Sequence, residues 1–513
     1  MNKFKCLFFS GLMAVMPACM NGQQTSSEDS SKPRVIITCD PELDDLNSLI
    51  RFLLFSTDFR VEGLIYASSQ FHWKGDGHGT KWYVPGREYS RNGIDYGPME
   101  SWRWDPEERF IDDAVEAYEE VYPNLRVHDP SYPTPEYLKS KIRIGNIEFD
   151  GDISKDTPGS ELIKAVLLDD CTDPVFINAW GGASTIARAL KSIQDIYEHT
   201  DAWKGIREKI IKKVVLSLSG DQDDTYARYI KPFWPELRQM EMGGMTVGLA
   251  YNAQLRASKE NQVFYSPEWM QENIRSKGPF GEMYRVWGDG KQMVKDDKFD
   301  FFGLSGYTVD ELKKQGYVVW TGIQPKGSYL AEGVTSCFLN LIGNGLRGHE
   351  DPTYGGWCGG RTVLPDSVKN LPRMEQMKYR AEHYPLPDFT APVMNGLAAR
   401  FKWSVTPNYA DANHEPVIKG ALAMSAKPGE KLKLKYTVTD PDKDALTIKW
   451  WQYVSAGTYR GKVAVDDPAS ANTTFTVPAD ANPGDTIHLI LEATDNGTPQ
   501  MNRYHRLIIT VAE

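Results

Sequence analysis

The strongest constraint on the fold of this chain is a repeated alternation. Short runs of consecutive apolar residues are followed by longer stretches whose apolar residues recur at helical spacing. "RVIITC" from Arg34 leads into "LDDLNSLIRFLLFS", where Leu46, Leu49, Ile50, Leu53 and Leu54 share one helical face, and "VEGLIYASS" then reads as a second strand. Strands that are apolar without a break have both faces covered, so this is a βαβ unit in a buried, mostly parallel sheet. The pattern returns with "PGSELIKAVLLDD" as helix, "DPVFINAW" as strand, "ASTIARALKSIQDIYE" as helix and "IIKKVVLSLSG" as strand. Residues 75–132, rich in Trp, Tyr, Gly and Pro, read as a long insertion over the sheet, where binding loops are usual.

Helical periodicity vanishes after "ARFKWSVTPNYADANHEPVI". "KLKLKYTVTD", "LTIKWWQYV", "TTFTV", "TIHLILEATD" and "HRLIITVA" follow, separated by turn residues. Short strands with a central Trp pair predict a small immunoglobulin-like β-sandwich over residues 413–513, after an α/β domain over 34–400. Trp450 and Trp451 point to opposite faces of their strand, one into the core and the other outward or onto the first domain. "TDPDKDAL" places Asp440, Asp442 and Asp444 at alternate positions, a polar Asx turn or a calcium-holding one.

The N-terminus has two lysines, an apolar run too short to span a membrane, and then small and polar residues, the pattern of a secretory signal over residues 1–22. Met16-Pro17-Ala18-Cys19 is an imperfect lipobox, so Cys19 is a candidate lipid anchor on a polar tether over 23–33. An exported protein is expected, periplasmic, cell-surface or secreted. Of six cysteines, Cys39, Cys171, Cys337 and Cys358 remain in the mature chain, without the spacing of a metal knuckle. The net charge of −11 is spread along the chain with no basic patch, which argues against nucleic acid or an anionic membrane as partner.

The first strand runs into "DPELDD", four carboxylates in six positions: Asp40, Glu42, Asp44 and Asp45. In an open parallel sheet ligands bind at the carboxyl ends of the strands. Acids converging there repel one another by several kcal/mol unless a cation neutralises them, and calcium accepts such a mixed oxygen set. A helix N-terminus that favours acids explains one or two of the four.

D-P-x-x-D-D at the end of the first strand resembles the motif of the nucleoside hydrolases. The resemblance implies that Asp40 and Asp45 are calcium carboxylates and that Asp44 is the general base for a calcium-activated water. It also implies that the Trp180 carbonyl, before Gly181 and Gly182 in "FINAWGGASTIARAL", is a further ligand, and that Gln70 contacts the sugar with His72 and Trp73 nearby. Thr38 and Glu42 depart from the motif, standing where it has an Asp and a Gly. The fuller resemblance is to secreted bacterial proteins with a nucleoside-hydrolase-like domain and a C-terminal β-sandwich, a family named for a cellulose-binding member. It rests on "FINAWGG", "LSLSGDQDDTYARYIKPFWPEL", "AEGVTSCFLNLIGNGL", "DPTYGGWCGGR", "ADANHEP", "TVTDPDKDALTIKWWQY" and "AGTY". Where that family has a last calcium carboxylate, this chain has Val334. Either Glu332 reaches in, or water fills the position, or the metal is weak or absent.

Asp221, Asp223 and Asp224 end another strand and are either binders of substrate hydroxyls or a solvated loop. His72, His78 and Glu332 are candidate acids for the leaving group. Two functions follow: a calcium-assisted hydrolase of N- or O-glycosidic bonds, acting on a carbohydrate, glycoside or nucleoside-like substrate, or a carbohydrate-binding protein on a hydrolase fold that no longer cuts.

Overall fold

The sheet at the centre of the structure has the order β3-β2-β1-β4-β5-β6, every neighbouring pair parallel. The strands are β1 (Arg34–Cys39), β2 (Arg60–Tyr66), β3 (Ile142–Ile144), β4 (Val175–Ala179), β5 (Val214–Leu218) and β6 (Arg238–Gln239). This computed structural model describes residues 32–240, 246–360, 362 and 364–513. The signal, Cys19 and nearly all of the tether lie outside the described residues.

β1 is central and wholly buried. Its alternate side chains enter two cores. Val35, Ile37 and Cys39 pack with helices α1 (Leu43–Leu54) and α2 (Phe110–His128) and the helix Thr390–Ser404. Ile36 packs with the helices α4 (Pro158–Leu168), α5 (Ser184–Tyr197) and α6 (Trp203–Lys213). Between α2 and α4 lies the short helix α3 (Pro135–Lys139). Burying Ile36 and Ile37 contributes roughly 1.5–3 kcal/mol each, which is why a strand covered on both sides reads as one apolar run.

Two boundaries differ from expectation. "IIKK" finishes α6, and β5 begins only at Val214. The insertion over 75–132 contains the 19-residue α2 rather than loop alone. Its apolar face, Ile111, Ala114, Val115, Tyr118 and Val121, is interrupted by the internal Pro123, which obscures the helical period.

Beyond the helix Thr390–Ser404, strands begin at Val417. A four-stranded sheet and the pair Asn472–Thr476 with Lys431–Lys435 enclose a core of Leu434, Phe475, Leu489, Leu491, Leu507 and Ile509, forming a β-sandwich. Trp450 belongs to that core, whereas Trp451 packs on the core of the α/β half, 6.1 Å from Phe389. The Asp440 carboxylate accepts from the backbone N–H groups of Asp442 and Asp444 at 2.8 and 3.0 Å, as in an Asx turn.

The sandwich and the α/β half share one compact unit, Pro33–Glu513. Arg506 donates to the carbonyls of Leu346 and Gly355, and Tyr453 to that of Gly356. Trp357 meets Tyr504. "IGNGL", "DPTYGGW" and "WWQY" are therefore junction segments. Among the described residues, Cys39, Cys171, Cys337 and Cys358 are all free thiols.

Candidate active site

The carboxyl end of β1 delivers Asp40, and α1 starts three residues later at Leu43, so Asp44 and Asp45 fall in its first turn. Oxygens of Glu42, Asp44 and Asp45 come within 4.8 Å of one another, as do those of Asp40 and Glu42 with a ring nitrogen of His72. Each ionised pair at such a distance costs about 3–4 kcal/mol at an effective dielectric of 20.

The hydrogen bonds do not relieve this repulsion. Asp40 Oδ2 accepts from Ser69 Oγ at 2.7 Å and lies 2.8 Å from His72 Nδ1, while its Oδ1 is buried without a partner. Neither oxygen of Asp45 has a partner in hydrogen-bonding geometry, although the residue is only 1% exposed. Burial pushes the Asp45 carboxyl well above its ordinary range, reinforced by Asp40, Asp44 and Glu42; the Asp40 backbone N–H is the least contribution and opposes it. Burial likewise raises Glu42, with Asp44 and Asp40 adding to it. Asp44 is pushed up to about 6 by burial and then by Asp40, against the backbone N–H groups of Asp44 and Gly333 and the Tyr251 hydroxyl.

Three orphaned, buried carboxylate oxygens on Asp40 and Asp45 are the donor set a hard cation requires. A doubly charged ion reverses the penalty that burial imposes on them. The residues present therefore fit calcium.

β4 closes the site from the other side. The Trp180 N–H donates to the Thr38 carbonyl at 2.8 Å, and the Trp180 carbonyl accepts from Gln222 Nε2 at 2.7 Å. A Cβ on Gly181 would overlap Asp40 Oδ1, and one on Gly182 would overlap Asp223. These glycines thus admit the carboxylates of Asp40 and Asp223.

Four expected site residues are engaged in bonds of their own. Glu332 is fully buried, and both its oxygens are taken: Arg51 holds them through Nε and, at 3.2 Å, Nη2, with Tyr284 and Thr335 donating as well. It is therefore not free to ligate a cation. Asp223 is buried and accepts from the backbone of Ser184, at the start of α5, at 2.9 Å and of Thr225 at 3.0 Å. Asp224 is paired with Arg87 at 2.9 Å and Arg228 at 3.3 Å. Asp221 similarly accepts from the backbone of Tyr226 and Ala227.

A cleft of about 550 Å³ opens beside the acids, lined among others by Glu42, His72, Tyr251, Phe299, Phe302 and Trp320. Gln70 is not among its lining residues, and His78 is exposed on the surface. Tyr251 lies 3.4 Å from both Asp44 Oδ1 and Glu42 Oε1, and its ring stacks on Phe302. Trp320 is 52% exposed and meets Tyr251 edge to face. Ser69, Tyr251 and Trp320 had no signal in the sequence beyond a general abundance of aromatics.

The family described as "Cellulose-binding Sde182, nucleoside hydrolase-like domain" matches residues 34–361. The chain belongs to this family. "Cellulose-binding protein Sde0182, C-terminal domain" matches residues 431–511. Among solved structures, a nucleoside hydrolase-related hypothetical protein from Saccharophagus degradans, described as associated with carbohydrate metabolism, is 24% identical. The match covers 94% of this chain and 100% of that one, with a TM-score of 0.65, so the fold is shared across both halves. No curated protein matches the chain.

Proposed function

We propose that the protein is an exported, calcium-assisted hydrolase of glycosidic bonds acting on a carbohydrate or glycoside. The observation that carries this reading is Asp45, deeply buried with neither oxygen in a hydrogen bond, beside the equally orphaned Oδ1 of Asp40. Asp40, Asp45 and the Trp180 carbonyl would hold the ion. When bound, calcium supplies positive charge that makes nearby water more acidic.

Asp44 accepts the proton of the attacking water, with Tyr251 orienting its carboxylate. His72 is the candidate acid for the leaving group: it lines the cleft, and Asp40 fixes its ring through Nδ1. Direct attack by water inverts the anomeric centre. The aromatic walls suit the apolar faces of sugar rings, and the family's cellulose-binding name agrees with a carbohydrate ligand. The leader favours an extracytoplasmic site of action, with lipidation at Cys19 as an anchor.

Wild type and Asp44→Asn are compared on aryl glycosides, cello-oligosaccharides and nucleosides with calcium. Wild type should exceed the variant by about 10²–10⁴-fold, the usual worth of a general base. Equal turnover by both removes Asp44 from the mechanism. A second reading, binding without cleavage, is favoured by Val334, which leaves no carboxylate at that position once Arg51 has claimed Glu332. It predicts calcium-dependent glycan binding by both proteins and hydrolysis by neither.

A further inference from the structure

The aromatic cleft beside the acids carries two cations, Arg91 and Arg103, and only one of them is committed. Arg103 donates to Glu88 at 2.9 Å and to Asp297 at 2.8 Å and lies over the ring of Phe299. Glu88 is thereby neutralised, with Trp102 donating to the same oxygen. Among the described residues, the Arg91 guanidinium has no ion pair and no hydrogen bond; its one contact of note is the face of Phe71, 5.6 Å from the ring centroid.

The position of Arg91 is built by the chain. Asn92 and Gly93 both adopt left-handed backbone, φ 58° and 81°, and the Ile94 N–H closes the turn on the Arg91 carbonyl at 3.0 Å. An Asn-Gly pair is the sequence suited to such a turn. It sets Arg91 on the cleft wall, where the Phe71 ring restrains a planar fork of donors. The other carboxylate lining the cleft, Glu42, belongs to the acidic cluster at the β1–α1 turn, whose charge calcium would offset.

We infer that the cleft selects an anionic sugar, a uronate or a sulfate ester, whose charged group is bound by Arg91 while its ring lies against Trp320 and its neighbours. This rests on the glycosidase reading for the identity of the ligand as a glycoside, but not on catalysis. An oxyanion with two parallel acceptors matches the guanidinium fork, and a neutral hexose offers nothing equivalent.

Calorimetry on the full mature chain with calcium tests this, using non-cleavable aryl thioglycosides in matched sets that differ only at C6: hydroxymethyl, carboxylate and 6-sulfate, in gluco and galacto series and both anomers. At least one anionic ligand should bind about tenfold more tightly than its neutral counterpart. Arg91→Ala should abolish that preference and Arg91→Lys should retain part of it, with melting temperatures of both variants showing that they fold. The arms also separate carboxylate from sulfate. The inference is overturned if neutral ligands bind as tightly as both anionic ones, if Arg91→Ala keeps the same preference, or if none of the ligands binds. Anionic selectivity through Arg91 without turnover of the oxygen glycosides would overturn the hydrolase reading alone.

Discussion

Replacing Glu332 separates two roles that the sequence leaves open. If it is a structural anion, Glu332→Ala strands Arg51, whose side chain is wholly buried and keeps only the Val393 carbonyl at 2.9 Å and the sulfur of Met394 as hydrogen-bond partners among the described residues. Leaving one partner of a buried pair uncompensated costs about 3–5 kcal/mol, a shift of roughly two to four decades in the folding equilibrium. The lost bonds from Tyr284 and Thr335 act in the same direction. Removing both charges, as in Arg51→Met with Glu332→Leu, should recover most of that loss, because an apolar pair of similar volume carries no desolvation penalty. Urea unfolding gives the stabilities of wild type and the two variants, and calorimetry gives their calcium affinities at a temperature where each is folded. The expected pattern is a large loss of stability in the single variant, recovery in the double variant, and calcium affinity unchanged within about threefold, a margin well under the 1.4 kcal/mol per decade at stake. A single variant that keeps its stability but loses calcium affinity tenfold would refute the structural assignment.

Gly181→Ala places a methyl group against Asp40 Oδ1. Calcium affinity and turnover should both fall at least about tenfold while circular dichroism stays native, since a misplaced ligand of one ångström suffices for such losses. Calcium affinity equal to wild type would show that the Asp40 position is not critical. At the junction, His488 accepts from Arg506 at 3.0 Å, and burial with Arg506 and Arg347 depresses its pKa to about 3. Because the folded value lies below the ordinary 6.5, the unfolded chain takes up the proton first. Stability is full above about pH 6.5 and falls on acidification towards pH 3. Between pH 7 and 5 wild type should lose about 2 kcal/mol more than His488→Gln, from about 1.4 kcal/mol per pH unit below 6.5. Parallel pH profiles for the two proteins would contradict the assignment.

The sheet was legible because burial on both faces writes itself into "RVIITC" and "VFINA" as uninterrupted apolar runs, and strand ends then point to the site. Asp40, Asp44 and Asp45 meet there because local sequence places all three at the β1–α1 turn. Residues brought in by tertiary contact were not legible. Tyr251 is 207 positions from Asp44, and Trp320 comes from a stretch with no helical or strand period. The sequence leaves Glu332 open because its partner is 281 positions away, yet "LIRFLL" holds a clue: an arginine amid apolar residues of a core helix needs a buried anion. Asp223 and Asp224 were ambiguous because a strand-end acid can serve a ligand or cap the next helix with the same local sequence. Much of what makes the tail motifs specific to the family, from "DPTYGGW" to "WWQY", builds the contact between the two halves rather than the cleft.

Whether the β1–α1 acids form a cation site is decided by calorimetric titration of calcium into metal-stripped wild type and Asp45→Asn. Wild type should show saturable uptake at one site that is missing from Asp45→Asn, with the variant more stable than wild type in chelator because a buried, repelled carboxyl has been removed. No saturable uptake by wild type at millimolar calcium, or identical isotherms for the two proteins, would rule out a cation site built on Asp45.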